Sequence, residues 1–464
     1  MAAHRPLGAL DRTFLAGETR ESMMHVGVLA PFSPPEERPR DFLRSLVEEL
    51  KRKTRAYPPW TLKLRHPEFL ASPLQAWVED DDLDVEYHVR RSALPSPGDE
   101  RELGILVSRL HSNKIDFHRP PWEVHFIEGL EGGRMALYFK VHHALVDGFT
   151  GMRLLTRSLS SDASDVDTPL FFARAPPERT KRADEPDEAT LDHLIHLLRD
   201  QVGASRDVGR AAMNLFRSAR SKERPLVTPL QAPLCVLNRK ISRNRRFATQ
   251  RFDAERLRRI SRAHDGTLND AVLALTAAAL RRFLLEQDAL PDQPLTTMVP
   301  VNIRPKGDTT GGGNEVGAIL ASLATDVADP RERLRAIVAS TRRAKEQLQG
   351  MSKSALTQYS ALILAPMLLS QIPGAAGRVR PAFNVVVSNV PGPTKPLYFR
   401  GWRLEAIYPL SIPFHGYGLN ITVGGYDGEL DFGFTGCRDT VPHLQRLAVY
   451  ASEAADELEA AMRR

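Results

Sequence analysis

A chain of 464 residues is longer than one hydrophobic core usually spans, so two or three domains are expected. Its 42% hydrophobic and 26% charged residues are those of an ordinary soluble globular protein, and a net charge of +6 admits anionic partners such as lipid headgroups, phosphorylated cofactors or nucleic acid. Cys235 and Cys437 are the only cysteines and form no CxxC pair, which excludes a disulfide framework and a thiolate metal site and suits a reducing compartment.

Residues 1–15 contain His4, Arg5, Asp11 and Arg12 and lack the apolar run of a signal peptide. The most apolar segments, 271–280 and 361–369, fall short of the ~20 residues of a membrane-spanning helix, so a soluble or peripheral protein is expected.

The apolar, β-branched run 24–32 reads as a buried strand, and 40–51 repeats Phe42, Leu43, Leu46 and Leu50 at helical spacing. Asp80, Asp81, Asp82 and Asp84 crowd one stretch, but without the spaced ligands and turn glycine of a calcium loop they read as a solvated turn. Residues 100–111 form a helix by pattern and 123–128 a strand. Gly132-Gly133 turns the chain into an apolar strand from Met135 onward. A helix is expected over 148–159.

Residues 173–190, rich in Pro, Arg, Asp and Glu, read as a linker. Arg206, Arg210, Arg217 and Arg220 then punctuate an amphipathic stretch, either a crossover helix packed on the protein or a basic helix on an anionic membrane; its small apolar face favours the first. The second half opens near Pro233 with the basic cluster Arg239, Lys240, Arg243, Arg245 and Arg246. No aromatic platform is interleaved, so nucleic-acid binding is not expected.

Strand 246–252 follows. Thr267 caps an Ala/Leu-rich helix over 271–285. Strands are expected over 296–303 and 316–323, joined by a glycine-rich loop, 307–314, that matches no nucleotide-binding fingerprint. A helix over 332–348, a strand over 383–390, a hairpin of 419–423 with 430–434, and a closing helix over 443–462 complete the chain. Together these predict a two-domain α/β protein: 1–172, a linker with crossover helices over 173–232, and 233–464.

The chemistry concentrates where the strand from Met135 ends: Val141-His142-His143-Ala144-Leu145-Val146-Asp147-Gly148. Rigid elements on both sides of such a turn fix exposed groups. A metal site is disfavoured, because neighbouring strand side chains point to opposite faces and no HExxH-type partner exists. A serine triad is disfavoured because no G-x-S-x-G elbow occurs. General-base catalysis remains: an imidazole titrating near neutrality can take a proton from a hydroxyl or amine attacking an acyl carbon. Asp147 would brace the loop, and Gly148 would allow a close backbone approach or an unusual φ.

The HHxxxDG motif resembles the active-site motif of the bacterial wax ester synthase/diacylglycerol acyltransferase family, within the chloramphenicol acetyltransferase-like fold that also includes peptide-synthetase condensation domains. Its surroundings are similar as well: Leu10 to Leu15, Met24-His25-Val26-Gly27, His88-Val89-Arg90, Trp122-Glu123, Asn269-Asp270-Ala271-Val272, Pro300 to Arg304 with Gly313-Asn314, and Ser388-Asn389-Val390-Pro391-Gly392-Pro393. Pro121 and Asn302 depart from the family, which usually has leucine and serine there; the second touches substrate preference more than reaction type.

The resemblance implies two similar α/β domains with a tunnel between them. It implies transfer of a long-chain fatty acyl group from acyl-coenzyme A to a fatty alcohol or diacylglycerol, giving wax ester or triacylglycerol. His143 would be the general base, His142 its supporting neighbour, and Asp147 structural and paired with Arg304. Asn269 and Asp270 would shape the site, with Asn269 and Ser411 as candidate oxyanion donors. Arg239, Lys240, Arg243 and Arg245 are candidates for the coenzyme phosphates. No metal or permanently bound cofactor is expected. A cytoplasmic protein is expected, peripheral on the inner face of the cell membrane or on lipid inclusions, through 206–220 or 361–369. Two rival readings are a condensation-type enzyme using an amine and a carrier-bound acyl group, and a lipid-binding protein without turnover.

Overall fold

The computed structural model describes residues 5–37, 41–53, 55–175, 227, 231–302, 316–349, 359, 363, 370–371, 374, 378 and 380–462. Arg304, the glycine-rich loop, the basic stretch 206–220 and all of 361–369 except Ile363 lie outside them.

Strand β7 (Met135–His142) is buried along its whole length because both of its faces are covered. One face is apolar: Met135, Leu137, Phe139 and Val141 pack with Val26, Val28 and Phe32 of β2 (His25–Ser33), with Trp122, Val124 and Phe126 of β6 (Trp122–Glu128), and with helix α2 (Phe42–Lys53) and Trp60. The opposite face carries Tyr138, Lys140 and His142. Register sets His25 opposite His142, Glu123 opposite Lys140 and His125 opposite Tyr138. Alternation along three paired strands therefore sorts a wholly apolar layer from one that mixes these polar groups with Leu29, Ile127 and Ala136.

Helix α4 (Glu100–His111) covers the polar face. Asp99 caps it by accepting the Glu102 amide at 2.9 Å. The Lys140 ammonium, 1% exposed, donates to the carbonyls of Leu110 and Asn113 at 3.2 and 3.0 Å and stands 3.4 Å from the Glu123 carboxylate. Burial raises the Glu123 carboxyl, but His125, Lys140 and Arg90 together hold it below the usual range.

Beyond β6 lies β5 (Val89–Ala93), parallel to it and preceded by the single turn α3 (Val85–His88). A small sheet, β1 (Arg5–Pro6), β4 (Ala76–Glu79) and β3 (Leu62–Leu64), packs beside helix α1 (Ala9–Gly17). Helix α5 (Gly148–Thr156) follows β7. In the acidic stretch, Asp80 pairs with Lys63 at 2.9 Å, and Asp84 pairs with Arg119 at 2.7 Å and caps α3. No group of three or more ligating side chains placed to hold a metal occurs among the described residues.

The second half builds a six-stranded sheet in the order β10 (Val316–Ser322), β9 (Thr296–Asn302), β11 (Val385–Val390), β15 (Leu419–Tyr426), β16 (Glu429–Cys437), β8 (Arg245–Asp253). Helix α7 (Leu268–Leu285) is its spine. Thr267 and Asp270 form a capping box, and the small Ala side chains let α8 (Pro330–Gln349) and α9 (Gln445–Met462) pack closely on it. Helix α6 (Ala254–Arg262) is not expected from the sequence: five charges leave only Leu257 and Ile260 as large inward residues.

The two sheets interlock. Residues of the second half run out as β12 (Tyr398–Phe399), β13 (Trp402–Leu404) and β14 (Tyr408–Leu410). Strand β13 pairs with the end of β2 at Phe32 and Ser33, and β14 pairs with Gly27, Val28 and Leu29. The outer edge of β2 is thus covered by chain from the second half. On its other side β14 presses on the second sheet: a Cβ at Gly433 would lie 1.8 Å from the Pro409 carbonyl oxygen, and one at Gly424 2.7 Å from that of Ile407. The edge of β8 is closed by α4, where Ser108 and Ser112 hydroxyls accept the Phe247 and Arg245 amides at 3.0 and 2.8 Å.

Candidate functional site

The β7–α5 turn is drawn tight by the His142 carbonyl, which accepts the amides of Leu145 at 3.0 Å and Val146 at 3.4 Å. The His142 amide donates to the Pro121 carbonyl and the His143 amide to Met24, both at 2.9 Å. Proline at 121 therefore keeps the one backbone group the turn uses.

His142 is 1% exposed and cannot meet a substrate directly. Its Nδ1 accepts the Ala144 amide at 3.2 Å, so the neutral ring carries its proton on Nε2. That Nε2 lies 3.5 Å from Oε2 of Glu18, whose carboxylate is also 1% exposed and accepts the Met24 amide at 2.5 Å. Lys114 Nζ approaches the other carboxylate oxygen at 3.8 Å. Glu18 follows α1, far from the motif in sequence, and sequence reasoning misses it.

His143 is placed differently. Its ring stacks on Phe14, centroids 4.0 Å apart and planes 25° off parallel, and its buried Nδ1 meets no described side chain in hydrogen-bond geometry. Burial is the main force on its charge and pushes its pKa down to about 4; Asp147 works against that, and His142 works with it. At neutral pH the imidazole is uncharged and able to accept a proton.

Asp147 is the N-cap of α5. One carboxylate oxygen accepts the Thr150 amide at 2.8 Å and the other the Thr150 hydroxyl at 2.7 Å. The side chain is exposed and braces the helix start, while acting on His143 only through space. Its expected partner Arg304 lies outside the described residues. Of the two reasons expected for Gly148, the unusual φ is not found. Its φ is not in the left-handed region, and a Cβ there would meet nothing within 4 Å among the described residues, so none of them crowds the turn.

In the second half, Asn269 accepts a 2.7 Å hydrogen bond from the Asn389 amide group, which brings the 269–270 and 388–393 signatures together. Asp270 is 2% exposed and spends both oxygens internally, one on the amide and hydroxyl of Thr267 and the other on the Thr341 hydroxyl at 2.6 Å. It shapes the site only by fixing α7. Ser411 donates its amide to Thr435 at 3.3 Å, and its carbonyl faces the buried His111 ring. The bonds that Asn269 and Ser411 make are to these partners and not to His143.

The basic cluster divides. Arg239, Lys240 and Arg243 are exposed. Arg245 is 3% exposed, donates to the Ser242 carbonyl at 2.6 Å and to the Glu21 carbonyl, and burial lowers its pKa to about 10. Its guanidinium ties the two halves together and is not displayed to a phosphate. Buried histidines extend from the motif across the polar face: His25 Nε2 lies 3.0 Å from the His111 carbonyl, and His111 Nδ1 lies 2.8 Å from the Tyr138 hydroxyl. No described helix is long and apolar enough to cross a membrane.

Comparison with known proteins bears on this geometry. Residues 7–272 match the model of the wax ester synthase/diacylglycerol acyltransferase catalytic domain, and residues 312–459 match that of the C-terminal domain of the same family. A Mycobacterium tuberculosis H37Rv protein provisionally named a diacylglycerol O-acyltransferase is 50% identical over 98% of this chain and 97% of its own. The O-acyltransferase WSD of Acinetobacter baylyi is 38% identical over 97% and 96%.

Among solved structures, the wax ester synthase/diacylglycerol acyltransferase of Marinobacter aquaeolei VT8 superposes with a TM-score of 0.78 at 38% identity, covering 99% of this chain and all of that one. A starter condensation domain of rhizomide synthetase, solved with C8-CoA and Leu-SNAC, shares the fold at a TM-score of 0.54 and 13% identity, over 99% of this chain and 95% of its own. The chain is an acyltransferase and belongs to the wax ester synthase/diacylglycerol acyltransferase family.

Proposed function

We propose that the chain transfers a long-chain fatty acyl group from acyl-coenzyme A to the hydroxyl of a long-chain alcohol or of diacylglycerol, with His143 as general base. The observation that carries this is the state of His143 at the motif's turn: uncharged at neutral pH and with its ring clamped against Phe14. In the reaction the imidazole takes the hydroxyl proton as the oxygen attacks the thioester carbonyl. The tetrahedral intermediate collapses, the carbon–sulfur bond breaks, and the coenzyme leaves as its thiol with the proton returned by the imidazolium. No covalent acyl-enzyme forms.

No described residue would crowd a Cβ at Gly148, which is compatible with the thioester lying at the turn. The shared fold of a domain solved with C8-CoA supports a coenzyme A thioester as donor. Its phosphates would meet Arg239, Lys240 and Arg243, the exposed members of the basic cluster. Insoluble acceptors place the enzyme at a membrane or lipid-droplet surface during turnover.

The test is product analysis with hexadecanol and diacylglycerol competing for one labelled acyl-coenzyme A. Wild type should form ester, and His143→Ala should form at least about a hundredfold less, within the usual range for a general base. Ester formation by His143→Ala at the wild-type rate would remove the assignment of the base. Binding of the thioester with no ester from any hydroxyl would favour a lipid carrier, and product from an amine with a carrier-bound acyl group a condensation enzyme.

A further inference from the structure

The two most exposed large hydrophobic side chains among the described residues are Phe69 at 72% and Leu74 at 73%. Both stand on the loop joining β3 to β4. Single exposed apolar residues are ordinary, but two on one short loop ask for a reason. This loop is built, not slack. Gln75, 2% exposed, accepts the His66 amide at 2.9 Å and donates to the carbonyls of His66 and Phe69 at 2.8 and 3.3 Å. The Arg12 guanidinium donates to the carbonyls of Ser72, Pro73 and Gln75 at 3.4, 3.3 and 3.3 Å. Backbone bonds from Phe69 to His66 and from Ser72 to Phe69 close its turns. Phe69 and Leu74 are therefore held in water by a scaffold that gives them no inward alternative.

The loop is continuous with the catalytic turn. Leu70 packs against the apolar cluster of Leu15, Leu64, Trp77, Phe117 and Ala144, and so does Phe14, whose ring lies on His143. One buried apolar cluster thus anchors the base of the loop, at Leu70, and the Phe14 ring that lies on His143. Arg65 and Glu68, of opposite sign, are the only formally charged residues between 65 and 75, and the Arg12 guanidinium beside the loop is turned to its carbonyls, so no cluster of cations marks the tip for an anionic surface. Two side chains are also far too little for a stable protein partner, which needs roughly 800 Å² per side. A lipid phase needs no shape complementarity.

We propose that the 65–75 loop is the lipid-docking element of this enzyme: Phe69 and Leu74 enter the surface of an uncharged or zwitterionic lipid phase and set the catalytic turn against it, so that the acceptor reaches His143 without crossing water. The proposal rests on the reading of the acceptor as a water-insoluble alcohol or acylglycerol. It adds a loop to the segments 206–220 and 361–369 expected from the sequence to meet lipid.

The experiment compares wild type with Phe69→Ser/Leu74→Ser in co-sedimentation with phosphatidylcholine vesicles containing diacylglycerol, alongside ester formation from a short water-soluble alcohol. Partition of the double variant should fall by about tenfold or more, as expected for removing two inserted apolar side chains. Its short-alcohol turnover should stay within about twofold of wild type, which also reports that it is folded. Phe69→Trp provides a second variant that keeps the apolar anchor. It should bind as wild type does, and its added emission should shift to the blue on vesicles.

Equal partition of wild type and double variant overturns the proposal. So does wild-type binding that is abolished by high salt, which would mark attachment by charge, or a dimer that the double variant converts to monomer, which would mark a contact between copies. If wild type forms no ester from any acceptor, the acyltransfer reading falls, and the partition data still decide the role of the loop.

Discussion

Asp147 offers the sharpest separation of two roles, because a carboxylate can act as a helix cap or as half of an ion pair. Its oxygens accept the amide and hydroxyl of Thr150 at 2.8 and 2.7 Å, the geometry of a cap. Asparagine keeps one acceptor oxygen for the Thr150 amide and loses the charge; alanine loses both. If capping dominates, Asp147→Ala should destabilise the protein by about 1 kcal/mol and Asp147→Asn by only a few tenths. Hydrogen exchange should quicken in α5 of the alanine variant first, since the lost bond lies in its opening turn.

The charge has a separate readout. Asp147 raises the pKa of His143 against the lowering by burial, so removing the carboxylate should move the acid limb of the kcat/KM profile to lower pH in both variants. At pH 7 the free base is neutral either way. The loss there falls on the imidazolium formed during transfer, and for an exposed carboxylate roughly a fivefold fall in rate, about 1 kcal/mol, is the expected scale. Differential scanning calorimetry, exchange and pH–rate profiles on the three proteins decide the matter. Equal destabilisation by Asn and Ala would refute the capping argument and restore an ion pair, with Arg304, as the main role.

Acid should unfold this protein earlier than its carboxylates alone predict. His88 and His111 are buried with pKa values lowered to about 4 and about 3, so the unfolded chain binds protons near pH 6.5 that the folded chain refuses. Stability is complete above 6.5 and falls as pH drops toward the folded values, by roughly 2 kcal/mol per histidine between pH 7 and pH 5. Urea midpoints that match at the two pH values would count against neutral buried rings. Glu18→Gln keeps an acceptor for the Met24 amide but removes the charge facing His142. It should lower kcat roughly tenfold, about 1.4 kcal/mol, with KM unchanged; an unaltered kcat would leave Glu18 a purely structural residue. Gly433→Ala forces β14 off the second sheet and should cost about 1–3 kcal/mol or more in a thermal melt, whereas an unshifted Tm would mean that the strand moves freely.

The long periodic elements are legible in the amino-acid sequence because each records its environment in its own residues. Helix α4 occupies the expected 100–111, and the run from Met135 ends at the two histidines. His143 and Asp147 stand out because they belong to one short motif, and the cap that Asp147 forms with Thr150 is itself local. Glu18 does not stand out, since its meeting with His142 is made by folding α1 onto the end of β7 and leaves no local pattern. Strands β13 and β14 have three residues each and draw their identity from β2, so no window of sequence reveals them. Arg245 reads in sequence as one more cation in a basic run, yet the alternation of β8 turns it inward.

That late return of the chain to β2 has a consequence for synthesis. Once β7 has emerged, one edge of β2 is paired while the other still shows the backbone groups of a strand whose neighbouring side chains are Val26, Val28, Ala30 and Phe32. Its cover, 398–410, follows only after about 250 further residues, which at ordinary translation speeds means roughly 10–50 s of waiting. For that interval the nascent chain presents an adhesive edge on every polysome that makes it. Yield of native enzyme should therefore depend on ribosome spacing and on chaperones that hold an open strand, and slow synthesis of the middle of the gene should do harm that no property of the finished protein reveals.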